Sequence, residues 1–180
     1  FLSMISKVEK TEEKASLKKF IDELALLPPK TRVLKELIEN DVISPSLKEK
    51  LEPWVNGNYA KYINAPEDKF SLDGQMLNFQ MDKILDDEEL SAPIIYYIMF
   101  KIRQKARATS RGHFIFIDES AKMLKNPYFQ HQIDVLLTEH RKLRGCVWLA
   151  FQNPNAFLQD NKLKELVLNQ CQNQILFSSD

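Results

Sequence analysis

Two carboxylates and an amide stand where apolar runs of this chain end. Asp118 and Glu119 close the run in HFIFIDES, residues 113–120, and Gln152 follows CVWLAF, residues 146–151. An Asp at the end of a strand can hold Mg²⁺ against nucleotide phosphates, and a Glu beside it can polarise the attacking water; this is the Walker B pattern. A Gln at the tip of the next strand both donates and accepts, so it can link a terminal phosphate to that water. Helix capping competes for the same signal, since acidic residues favour helix N-termini. Adjacent strand residues point to opposite faces, so Asp118 and Glu119 do not flank one bond as a hydrolytic carboxylate pair. His113, His131 and His140 have no Cys or His partner at ligand spacing.

The elements that must position these groups follow from apolar spacing. Phe114–Ile117 is an unbroken apolar run, too short for a helix and suited to a strand buried on both faces. In an open α/β sheet the ligand crevice lies beyond the carboxyl ends of such strands, where the acidic doublet falls. Met76–Phe79, Cys146–Phe151 and Gln174–Phe177 read as further strands. Met81 to Glu89 reads as an acidic loop, and Ser91 as the cap of a helix with Pro93 in its first turn, running over 94–106. This helix is apolar nearly all round and should lie against a sheet. Its late Lys101, Arg103, Lys105, Arg107 and Arg111 suit a helix C-terminus.

A helix begins at Ala121 and breaks at Pro127; a long one follows, with Phe129, Ile133, Leu136 and Leu137 on one face, ending near Arg144 with Gly145 as C-cap. Leu163, Leu166 and Val167 mark another. From Met76 onward strands and helices alternate, which predicts a mostly parallel sheet with crossover helices.

The first 52 residues are different. Leu17, Phe20, Ile21 and Leu24 form one helical stripe, ended by Pro28 and Pro29. Val33, Leu34, Leu37 and Ile38 form a second, with a break over Asp41–Ser44. Ser44 as N-cap with Pro45 at the first position starts a third, burying Leu47 and Leu51. Residues 51–71 lose the helical period; Pro53, Asn56–Asn58 and Pro66 are turn formers, and Trp54, Tyr59, Tyr62 and Phe70 supply rings that pin a loop. The domains expected are therefore a helical lobe over 1–52 and an α/β core over 53–180.

Composition narrows the function classes. The chain has 180 residues, 44% hydrophobic and 28% charged, with 25 basic and 25 acidic residues, so no global field draws it to nucleic acid or an anionic membrane. Cys146 and Cys171 read as buried thiols with no disulfide partner. No apolar run reaches transmembrane length, and no signal peptide is expected. The four glycines, at 57, 74, 112 and 145, never form G-x-x-x-x-G-K-[ST], so a loop gripping the phosphates is expected outside this chain. With Phe1 in place of an initiator methionine, the chain reads as a fragment. His140, Arg141, Lys142 and Arg144 cluster at the end of the long helix, either compensating its dipole or offering Arg141 or Arg144 to a neighbouring subunit's nucleotide.

Four stretches then carry a family resemblance: LEPWVNGNYA, FQMDKILDDEELSAPIIYYIMFKI, FIFIDESAKMLKNP and LRGCVWLAFQNPNAF. From about Leu51 onward the chain resembles the ATPase domain of the conjugation and type IV secretion ATPases, the VirB-four class. The resemblance implies a RecA-like P-loop NTPase core, with the helical lobe as an insertion and the P-loop missing. It implies a hexameric motor at the cytoplasmic face of the bacterial inner membrane, with ATP and Mg²⁺ as cofactors. Partners would be other type IV secretion subunits, including inner-membrane components and a second secretion ATPase, with DNA or protein as cargo. Asp118 would hold the metal, Glu119 and Gln152 would contact nucleotide and water, and Arg141 or Arg144 would act in trans. Ser120–Ala121 and Phe79–Gln80 depart from the family pattern. The chain alone is expected to bind ATP poorly and not to hydrolyse it. The rivals are a non-catalytic interaction module on the same fold and a DNA-translocating relative.

Overall fold

The computed structural model describes residues 1–39, 43–65, 67–124, 127–153 and 161–177. Expectations on Asp41, Pro66, Pro154 and Asn155, and on the side chains of Leu37, Leu163 and Leu166, lie outside the described residues. The chain forms two units, Phe1–Leu77 and Asn78–Asp180.

The first unit is helical. It comprises α1 (Leu2–Ile5), α2 (Thr11–Leu26), a 3₁₀ turn (Pro29–Thr31), α3 (Lys35–Glu39), α4 (Pro45–Val55) and α5 (Ala60–Ile63). Leu17 and Phe20 of α2 are buried, whereas Ile21 from the expected stripe is exposed. Past α2, the Arg32 guanidinium donates to the carbonyls of Leu27 at 2.8 Å and Ala25 at 2.9 Å, satisfying acceptors a helix end leaves open. Ser44 caps α4, its Oγ accepting from the Leu47 N–H at 3.3 Å, with Pro45 in the first turn. Leu47 and Leu51 are fully buried. Lys50 reaches the buried Glu13 at 3.0 Å and ties α4 to α2. The expected loop from Leu51 is corrected: α4 runs through Pro53 to Val55, because Trp54 and Val55 are buried on its inner face. Tyr59 stacks on Trp54 with ring centroids 4.5 Å apart.

The second unit comprises α6 (Asp82–Leu85), α7 (Glu88–Thr109), β1 (His113–Ile117), α8 (Ser120–Leu124), α9 (Pro127–His140), β2 (Gly145–Leu149) and α10 (Asn161–Gln170). The start of α7 is corrected. Asp87 caps it, accepting from the Glu89 and Leu90 N–H groups at 3.0 Å, and Pro93 lies inside the helix. A carboxylate facing two free N–H groups outcompetes the Ser91 hydroxyl, which instead donates to the Glu88 carbonyl. The segment expected to be an acidic loop contains α6. Likewise α9 ends at His140 rather than near Arg144.

β1 and β2 pair in parallel, His113 opposite Gly145 through Ile117 opposite Leu149. Ile117 joins Ile95 and Met99 of α7, Met123 and Leu124 of α8, Phe129, Ile133 and Leu136 of α9 and Val167 of α10 in one core. Two expectations fail here. The strand is not buried on both faces: Phe114 and Phe116 are 57% and 55% exposed, and Trp148 is 50% exposed, because the helices of the described residues cover only the face of Ile115 and Ile117. Residues 76–79 and 174–177 are not strands either. They pair with no ladder, and Met76 and Phe177 are 91% and 89% exposed. An apolar run becomes a strand only when a neighbour accepts its backbone hydrogen bonds.

Candidate active site

The backbone between the two strand ends places the candidate groups. Beyond the ladder, the Ala150 N–H donates to the Ile117 carbonyl at 2.9 Å and the Ser120 N–H donates to the Ala150 carbonyl at 3.0 Å. The fully buried Ser120 hydroxyl also donates to the Ile117 carbonyl, at 2.7 Å. Asp118 and Glu119 are therefore held in a tight turn over the sheet's carboxyl edge, both exposed. The Glu119 N–H donates to Asp118 Oδ1 at 2.9 Å. Glu119 has φ +47°, a left-handed conformation that costs a non-glycine residue about 1–3 kcal/mol and persists only where its surroundings over-determine it. Those flanking bonds supply the constraint.

Gln152 meets this turn from the neighbouring strand. Its Nε2 donates to Glu119 Oε1 at 3.1 Å. Asp118, Glu119 and Gln152 thus form one polar cluster beyond the parallel strands, where an open α/β sheet binds ligands. The donor set fits the implied metal. Mg²⁺ takes hard oxygen ligands and is commonly bound by one or two carboxylates completed by phosphate oxygens and water. The exposed Asp118 carboxylate suits that role.

Arg141 and Arg144 are not brought to this cluster. They lie in the turn between α9 and β2, at the strands' amino end. A five-residue strand spans roughly 13 Å at about 3.3 Å per residue, so neither joins the acidic doublet of the same strand pair. The expected C-cap is corrected too: Arg144, with φ +61°, takes the left-handed position, and Gly145 has no positive φ. Glycine is required at 145 by space instead. A Cβ there would stand 2.5 Å from His113 Nε2 and 2.9 Å from His140 Cβ. Gly145→Ala should therefore destabilise the chain by about 1–3 kcal/mol through overpacking, read as a lower denaturation midpoint with an unchanged slope; an unchanged midpoint would show that the site has room.

Sequence reasoning missed two features. In the sequence Ser120 is only a departure from the family pattern, yet its side chain and backbone both brace the turn. His113 and His140 have no partner at ligand spacing in the sequence, yet His113 Nε2 and His140 Nδ1 are hydrogen-bonded. The legible signal was positional: one opens a strand, the other closes the helix feeding the adjacent parallel strand. Burial, reinforced by His113 and Arg103, lowers the His140 pKa to about 4. Among the described residues no cluster of three metal-ligating side chains forms, and no helix is long and apolar enough to cross a membrane. Cys146 is exposed, correcting its expected burial, because it lies on the sheet face shared by Phe114 and Trp148. Burial raises the pKa of Cys171.

The fold and site define an α/β unit with an acid–acid–amide cluster at the ends of two parallel strands. Comparison with known proteins makes this specific: the chain is homologous to VirB4 type IV secretion proteins over most of its length, which supports a VirB4-family fragment. The type IV secretion system protein VirB4 of Bartonella henselae is 28% identical over 169 residues, 92% of this chain and 21% of that protein. The Bartonella quintana protein of the same name is 27% identical over the same shares. The VirB4 protein of Agrobacterium fabrum is 30% identical over 131 residues, 72% of this chain and 16% of that protein. The chain spans about a fifth of the length of the Bartonella relatives it matches. No family model and no solved structure matches it.

Proposed function

We propose that this chain is the Walker B half of an ATPase motor in a type IV secretion system, working as a hexamer at the cytoplasmic face of a bacterial inner membrane. Similarity to VirB4 proteins and the strand-end chemistry support the reading. The observation that carries it is the Gln152–Glu119 hydrogen bond of 3.1 Å beside Asp118. Asp118 holds Mg²⁺, which when bound neutralises charge on the nucleotide phosphates. Glu119 accepts a proton from the attacking water, and Gln152 fixes the orientation of that carboxylate. Ser120 holds the turn so that neither acid moves as charge develops, which is how a preorganised site lowers a barrier. Arg141 or Arg144, remote from the acids of its own chain, serves a neighbouring subunit's site. The fold completed in this way is a RecA-like P-loop NTPase core, and the partners are other secretion subunits, including inner-membrane components and a second secretion ATPase, with DNA or protein as cargo.

The test is made on the longer protein that carries this chain. Gln152→Ala should lower Mg²⁺-dependent ATP turnover by about a hundredfold, the scale of losing one oriented hydrogen-bond donor, with nucleotide affinity kept. Turnover unchanged by the substitution would remove Gln152 from the site.

A further inference from the structure

At the opposite edge of the sheet stands a second polar pair, His140 buried and His113 half-buried. His113 opens β1 and His140 closes α9; their rings meet edge to face with centroids 4.7 Å apart. His140 is 1% exposed, and its Nε2 has no hydrogen-bond partner among the described residues. His113 Nδ1 faces the Arg111 carbonyl at 3.4 Å. A carbonyl can only accept, so His113 carries its proton on Nδ1 and presents Nε2 as an acceptor. His140 Nδ1–H then donates to it, which leaves His140 Nε2 unprotonated and buried. The pair is neutral, and no added proton fits. On His113 Nε2 it would displace the hydrogen bond; on His140 Nε2 it would create a buried donor without an acceptor.

Backbone hydrogen bonds tie the basic turn to both histidines. Leu143 N–H donates to the His140 carbonyl at 3.0 Å, and His113 N–H donates to the Arg144 carbonyl at 3.3 Å. Gly145 leaves the rings no slack. We propose that His113 and His140 form a proton-sensitive clamp that positions the Arg141–Arg144 turn against the first strand. That these arginines serve a neighbouring nucleotide site rests on the reading above; the clamp itself does not. The charged groups facing His140 are Arg103 and Arg107 from α7, Glu139 on its own helix and His113 from β1. Arg107 is paired to Glu139 at 2.9 Å. The lowered His140 pKa agrees in direction: a proton is bound more weakly when the clamp is closed. Stability held by the clamp is thus complete above the ordinary histidine pKa of about 6.5 and lost as pH falls from there toward the folded value.

Amide hydrogen exchange of this chain without nucleotide reads the clamp directly. After correction for intrinsic rates, protection of the His113 and Leu143 amides should fall about twentyfold between pH 7 and pH 5. Ala150, bonded to Ile117 at the far edge, serves as control and should change little. In His140→Asn, whose side-chain amide can still donate to His113 but which removes one of the two titrating rings, the pH dependence should weaken, leaving only what His113 contributes. On the unaltered chain, nitrogen-15 spectra should show both rings protonated on Nδ1 at neutral pH. Protection that falls equally at Ala150, a pH response of undiminished size in His140→Asn, or rings protonated on Nε2 would each overturn the clamp. Arg141→Ala and Arg144→Ala that leave turnover of the longer protein unchanged would instead overturn the trans-acting role and leave the exchange result standing.

Discussion

Glu119→Gln in the longer protein should lower ATP turnover by about 10²–10⁴-fold, the range expected when a positioned general base is lost, while nucleotide still binds. The geometry explains why the effects separate. Gln is isosteric with Glu and keeps an oxygen that can accept from Gln152 Nε2, so the 3.1 Å contact survives. The left-handed backbone at 119 is set by the Asp118 carboxylate and the Ser120 contacts, which the substitution leaves alone. Only the negative charge and the basicity are removed. Losing a negative charge beside an anionic ligand does not weaken its binding, so affinity for Mg·ATP should hold or rise. Single-turnover hydrolysis and equilibrium nucleotide binding measured on the same preparation decide the matter. Turnover and binding falling together would mean that Glu119 holds the ligand rather than the water, and full turnover would place the base elsewhere.

Phe129→Ala should destabilise the second unit by about 3–5 kcal/mol, the cost of deleting a large buried ring and leaving a cavity. Small domains have about 5–15 kcal/mol in total, so the loss is a large fraction of what holds the unit together. Phe129 is fully buried and packs in one core with Ile133 and Leu136 of its own helix and with Ile117 at the end of β1. The comparison is Phe114→Ala, one strand position from that core but more than half exposed, for which at most about 1 kcal/mol is expected. Urea denaturation of the two variants separates them. Equal losses would show that the outer sheet face is as tightly packed as the inner one.

This pair of phenylalanines marks the division between what was legible and what was not. Local patterns were legible where a few neighbouring residues settle the matter. Ser44–Pro45 caps α4, Phe129, Ile133 and Leu136 share a buried helix face, and Phe114–Ile117 lies within a strand. The acidic doublet at a strand end was readable for the same reason, since the change from apolar to acidic residues is a sequence event. Depth was not legible. Four consecutive apolar residues do not say how many layers cover them, and Phe114 and Phe116 proved outward-facing. Nor do Met76–Phe79 and Gln174–Phe177 carry any mark of whether a neighbouring strand exists to accept their hydrogen bonds.

The amino acids by themselves determined which groups could act: a carboxylate pair, an amide and a basic turn, each at a boundary between apolar and polar chain. Tertiary structure alone decided which of them meet. Parallel pairing in register carries Gln152 onto Glu119 across 33 positions and His113 onto His140 across 27. The same pairing holds both arginines at the other edge, because parallel strands send their carboxyl ends one way and their amino ends the other.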